Sequence, residues 1–193
     1  DLTNCEDILY FTAEMPEHGR ELYWYDPRTG SHRLVTERKI GPESSAPWIH
    51  GAGKGHVYFS ALSDNTGDAR LIYLKPVGTT GPIRTAPHME ELDMGRERTW
   101  QLGFEVNNAG VLLFQAGGHL YRTDGTEAGT CLLNLLNAGS QSALGFTNVG
   151  ARTFFVSNHP PYGRELWITN ATPQGTRLVK DIQPHYNRNL RDD

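Results

Sequence analysis

Apolar residues in this chain come in short runs broken by glycine, proline, asparagine and aspartate, with no stretch that keeps the 3.6-residue period of a helix. Leu22-Tyr23-Trp24-Tyr25 and Leu166-Trp167-Ile168 are apolar at successive positions rather than alternating. That is the pattern of a strand covered on both faces. In the last quarter the punctuation predicts strands at 145–149, 152–157, 164–169 and 176–182, with Asn-His-Pro-Pro-Tyr-Gly and Asn-Ala-Thr-Pro-Gln-Gly as turns.

The same pattern occurs four times. Residues 2–11 recur at 146–155, and that single offset of 144 also superposes Gly19-Arg20-Glu21-Leu22 on Gly163-Arg164-Glu165-Leu166 and Arg33-Leu34-Val35 on Arg177-Leu178-Val179. Two more copies lie between, marked by an apolar pair ending in phenylalanine: Tyr10-Phe11, Tyr58-Phe59, Leu113-Phe114 and Phe154-Phe155. The second copy is lengthened around residues 88–98, and the third is shortened at Gln115-Ala116-Gly117-Gly118. Four short antiparallel strands per repeat of this length make one blade of a propeller. The expectation is therefore an all-β, four-bladed β-propeller in a single domain over 1–193, with blades at about 2–46, 47–100, 101–143 and 144–186 and a tail at 187–193.

Leu120-Tyr121-Arg122-Thr123-Asp124-Gly125-Thr126-Glu127-Ala128-Gly129-Thr130, and more loosely 165–182, resemble the bacterial repeat E-L-W-x-x-D-G-T-x-x-G-T-x-L-V-x-D-I. The first copy departs with Asp26-Pro27-Arg28-Thr29-Gly30 and the second with Lys75-Pro76-Val77-Gly78. The resemblance implies a secreted, surface or periplasmic bacterial protein that binds or scaffolds, and it carries over no catalytic residue. Physically, Asp124-Gly125 reports a turn needing positive φ, with Thr126 and Thr130 placed to tie the loop to its own backbone.

Composition narrows the partners. Gly 21 and Pro 11 suit many tight turns, and the net charge of −4, with both signs interspersed, argues against nucleic acid. No apolar run is long enough to span a bilayer, and the first residues lack the basic and apolar regions of a signal peptide. Cys5 and Cys131 fall on different blades, so no intramolecular bridge is expected.

In a propeller the first strand of each blade is innermost. Asn4, His50, Asn107 and Asn148 are thus the expected lining of an axial channel, where a cation such as calcium is the one ion they would hold; no cofactor is otherwise expected. Eight histidines lack ligand spacing, and Gly51-Ala52-Gly53-Lys54-Gly55 lacks the spacing and following residue of a phosphate loop. Arg20/Glu21 and Arg164/Glu165 are expected in ionic contacts between blades. Asn170-Ala171-Thr172 fits a glycosylation sequon but reads as a turn.

The lengthened segment of blade 2 breaks the repeat. Its Glu90, Glu91, Asp93, Arg96 and Arg98 are the candidate contacts to a protein partner, with Pro160-Pro161-Tyr162 and Met15-Pro16 as further turn surfaces. The leading function is non-enzymatic binding or scaffolding through protein–protein interaction. The alternative is a carbohydrate-binding propeller using Trp24, Trp48, Trp100 and Trp167 as stacking platforms. A hydrolase is disfavoured because Glu105 is the only inner-strand carboxylate.

Overall fold

The computed structural model describes residues 1–36, 41–62, 70–77, 83–87, 104–116, 119–134, 143–160, 162–182 and 184. Among them are sixteen strands in four antiparallel sheets, each made of four consecutive strands. Blade 1 holds β1 (Leu2–Cys5), β2 (Ile8–Met15), β3 (Gly19–Asp26) and β4 (Ser31–Thr36). Blade 2 holds β5 (Trp48–Gly53), β6 (His56–Leu62), β7 (Arg70–Pro76) and β8 (Arg84–Thr85). Blade 3 holds β9 (Phe104–Val106), β10 (Leu112–Ala116), β11 (His119–Thr123) and β12 (Cys131–Asn134). Blade 4 holds β13 (Leu144–Val149), β14 (Arg152–His159), β15 (Gly163–Thr169) and β16 (Arg177–Lys180).

The chain divides into two compact units. One comprises Asp1–Arg96 with Gly125–Glu127, the other Glu97–Asp124 with Ala128–Asp193. In the first, Ile8, Tyr10, Leu22, Tyr58, Phe59, Ile72 and Tyr73 are buried. In the second, Val111, Leu113, Leu120, Leu133, Phe155 and Trp167 form one cluster between blades 3 and 4.

The register explains the repeat's phenylalanine. Phe11 opposes Tyr23, Phe59 opposes Tyr73, Phe114 opposes Tyr121 and Phe155 opposes Trp167. Their ring centroids lie 5.8, 5.4, 5.6 and 6.4 Å apart. Each blade therefore carries one cross-strand aromatic pair between its second and third strands, worth about 0.5–1.5 kcal/mol beyond the area it buries.

The third-to-fourth strand loops of blades 3 and 4 share one design. The Thr123 and Thr130 hydroxyls pair at 2.7 Å, as do those of Thr169 and Thr176. Asp124 folds over Gly129 and Asn170 over Gly175, and a Cβ on either glycine would overlap that side chain. Asn170 Oδ1 also accepts from the Thr172 amide (3.1 Å) and hydroxyl (2.7 Å), so the sequon residues fasten their own turn. Ala171, with φ 62°, stands where blade 3 has Gly125, with φ 86°.

Candidate functional site

Cross-strand pairing fixes which inner-strand residues are equivalent. Asn4 opposes Leu9, Ala52 opposes Val57, Val106 opposes Leu112 and Asn148 opposes Thr153. Of the four expected lining residues, only Asn4 and Asn148 hold the same position in their blades. His50 is the extra residue of a bulge between Ile49 and Gly51, which re-aims it relative to the ladder. Asn107 falls one residue past β9, and its Oδ1 accepts from the amides of Ala109 (2.9 Å) and Val111 (3.0 Å), closing the hairpin to β10.

Within the second unit, Asn148 is the hub of a polar chain. Its Nδ2 donates to Glu105 Oε1 at 2.6 Å and to the Val106 carbonyl at 3.0 Å, while its Oδ1 accepts from the Thr153 hydroxyl at 2.7 Å. Thr153 is buried and Glu105 half-buried. Desolvation pushes the Glu105 carboxyl above its ordinary value, and the hydrogen bond from Asn148 partly opposes that. Arg122 Nη1 also joins the two blades, donating to the Ala171 carbonyl at 3.0 Å, and Gln115 Oε1 accepts at 3.1 Å from the amide of Ala143, in the linker that leads into β13.

In the first unit the Gly-Arg-Glu-Leu motif acts as a clasp. Glu21 is fully buried; its Oε1 accepts from the Ser45 amide at 3.0 Å and its Oε2 from the Ser45 hydroxyl at 2.5 Å. Ser44 Oγ donates to the Arg20 carbonyl at 3.1 Å. Gly19, at φ +64°, lies under the same segment, where a Cβ would meet backbone atoms of Pro42, Glu43 and Ser44 at 2.8 Å. The motif therefore holds the linker that leads into β5. Glu21 turns inward to Ser45 and Arg20 stays exposed; Arg164 and Glu165 divide in the same way, exposed and buried.

The remaining candidates are distributed as follows. Glu90, Glu91, Asp93, Arg96, Arg98 and Trp100 lie outside the described residues. Trp167 is 4% exposed, packed on Phe155 and 5.3 Å from the His159 ring, so it offers no platform to a sugar. Gly51-Ala52-Gly53-Lys54-Gly55 forms the end of β5 and a hairpin turn. Cys5 and Cys131 are both free; Cys5 is buried, its thiol pushed up by burial and by Glu6, and Cys131 is exposed.

No protein-family model matches the chain, and no curated protein matches it in sequence. Among solved structures it is similar to the β-propeller domain of the Trilobed protease from Pyrococcus furiosus. Identity is 13% and the TM-score 0.57, over 97% of this chain and 53% of that one. The fold is a β-propeller of four blades. A putative TolB from Agrobacterium tumefaciens is also similar, at 13% identity and TM-score 0.52 over 90% of this chain and 61% of that one. Dipeptidyl peptidase 4 from Porphyromonas gingivalis follows at 14% and 0.51, over 96% and 26%. The chain thus spans less than two thirds of each of these proteins, and at such identities the likeness carries the fold alone. Each blade of this propeller is complete in four consecutive strands.

The propeller's inner strands do not supply a cation's ligands in the expected way. Asn107 Oδ1 already accepts two backbone amides, and Asn148 turns its NH2 group, not its oxygen, toward Glu105. Among the described residues no three His, Cys, Asp or Glu side chains group as metal ligands, and no helix is long and apolar enough to cross a membrane. Sequence reasoning missed Ser45, Gln115, Arg122 and Thr153. The offset between repeats could not reveal them, because Ser45, Gln115 and Arg122 act on a linker or a neighbouring blade, where the repeats differ, and Thr153 acts through Asn148.

Proposed function

We propose that this propeller is a non-enzymatic binding and scaffolding module that works through protein–protein contact, as a subunit of an extracellular, cell-surface or periplasmic assembly. One observation carries the reading: the polar residues that recur between blades are engaged by the chain itself. Glu21 holds Ser45, Asn170 holds Thr172, and the threonine hydroxyls of blades 3 and 4 pair with one another. A motif used in this way builds a rigid frame, on which variable surfaces and turns do the recognising. The setting outside the cytoplasm follows from the resemblance of residues 120–130 to the bacterial surface repeat.

The test is photo-crosslinking of the full chain in its native cells, followed by mass spectrometry. A recurrent protein partner is expected. Turnover of peptide or glycoside substrates that disappears in Glu105→Gln would replace the scaffold reading with an enzymatic one.

A further inference from the structure

Three of the blades carry alanine next to their aromatic pair. Ala13, Ala61 and Ala116 each stand two residues past the repeat's phenylalanine and so share its face. Blade 4 has Ser157 at that position, and the ring opposite its phenylalanine is the indole of Trp167 where the others have Tyr23, Tyr73 and Tyr121. Ser157 is 1% exposed and Trp167 4%, and neither Ser157 Oγ nor Trp167 Nε1 meets a hydrogen-bond partner among the described residues. A buried polar group left in that state is destabilising, and native chains seldom carry two side by side.

The register brings these two groups together. Ser157 lies directly opposite Glu165, and Phe155 opposite Trp167, so Ser157, Glu165 and Trp167 are three corners of one patch on one face. The indole centroid is 6.4 Å from the Phe155 ring and 5.3 Å from the His159 ring. Phe155 and His159 flank Ser157 along β14 on that face, so an indole within reach of both lies across the serine. Glu165, 4% exposed, and the cluster that joins blades 3 and 4 close the patch off. All three corners belong to the second compact unit.

The corners differ in what they can bond. An indole N–H only donates, an ionised carboxylate only accepts and can take more than one hydrogen, and a hydroxyl does either. An anion is refused by Glu165, and a cation by the indole N–H. A neutral molecule with a hydrogen to give and a lone pair to receive satisfies all three, and walls this thoroughly buried admit nothing larger than water. We propose that Ser157, Glu165 and Trp167 hold one internal water, which accepts from Trp167 Nε1, donates to the Glu165 carboxylate and shares a hydrogen bond with the Ser157 hydroxyl. Roughly three hydrogen bonds are the usual complement of a buried water, and this site supplies them. The water ties the indole to both strands of the β14–β15 hairpin, at a position that the other three blades fill with a methyl group.

The test is water-selective NOE and ROE spectroscopy on the isotope-labelled full chain, with the Trp167 indole proton assigned by its loss in Trp167→Phe. The expected result is a cross-peak from that proton to a long-lived water in both experiments. It should weaken in Ser157→Ala, which removes one of the three partners, and disappear in Ser157→Val, whose methyl groups take the water's place. Should Ser157→Val not fold, the comparison with Ser157→Ala decides. An indole proton with no water cross-peak in the unaltered chain overturns the proposal and leaves the serine hydroxyl turned onto the indole face. A cross-peak undiminished in both variants overturns it as well. So does a saturable shift of the indole resonance on titration with sodium or acetate ions, which would put an ion where the water is assigned.

Discussion

Replacing Glu21 tests whether the acid that recurs in blades 1 and 4 is a structural clasp. Glu21 and Ser45 are both fully buried and joined by two hydrogen bonds. Glu21→Ala leaves the Ser45 amide and hydroxyl as buried donors without that acceptor, and each such orphan costs about 1–3 kcal/mol. Removing the carboxyl also removes its own desolvation, so the net loss is about 2–4 kcal/mol. For a chain of this size that is a fall in Tm of roughly 5–15 °C. Ser45→Ala keeps the amide bond and loses only the hydroxyl, for about 1–2 kcal/mol. Glu21→Gln can still accept from the amide and donate to the hydroxyl oxygen, so it should lose less than about 1 kcal/mol. Urea unfolding followed by tryptophan fluorescence supplies the free energies. The double variant E21A/S45A should fall short of the sum of its singles by about 1 kcal/mol. Strict additivity, or a Glu21→Ala loss below about 0.5 kcal/mol, would refute the clasp.

The other expectations are simpler to state. Glu105 has a raised folded pKa, so its proton-linked stability is present below the ordinary value of 4.5 and is lost as pH rises through the folded value. Glu105→Gln, which still accepts from Asn148, should raise Tm at pH 7, and the gain should vanish by pH 4 in calorimetry. Lys75 is 4% exposed and its amine is pushed below 10.5 by burial, so between the folded and unfolded values the unfolded chain binds more protons. The original chain should therefore gain stability relative to Lys75→Met as pH is raised toward 10.5; a flat difference would contradict the shift. Gly129→Ala drives a methyl into the Asp124 carboxyl and should destabilise by about 1–3 kcal/mol in urea titrations. A thiol reagent should label exposed Cys131 in the native state and buried Cys5 only after unfolding.

What could be read in the sequence is what every blade repeats. The Phe of the Tyr-Phe marker was visible because each blade needs it for the same cross-strand aromatic pair, as Phe11 with Tyr23 and Phe155 with Trp167. The Asp-Gly-Thr loop was visible because only a short acceptor side chain folds over a glycine there, and Asn170 over Gly175 meets that need as well as Asp124 over Gly129. The inner strands were harder, since a single inserted residue moves every later side chain to the opposite face. His50 and Asn107 were placed with Asn4 by their polarity, but the bulge at Ile49/Gly51 and the short β9 leave Ala52 and Val106 at the equivalent positions. Contacts between blades were hidden for a different reason.

A contact between successive blades joins two repeats, so either partner can change provided the other end still finds a donor or acceptor. Blade 1 holds its outgoing linker with the Glu21 carboxyl, whereas blade 3, with its shortened turn and His119 opposite Ala116, holds the linker's Ala143 amide with Gln115. The mechanical requirement is shared: a buried linker amide must meet an acceptor. The residue that meets it is not shared, so no motif search over one blade can find it. Within a repeat, geometry fixes the residue; at a boundary it fixes only the chemistry.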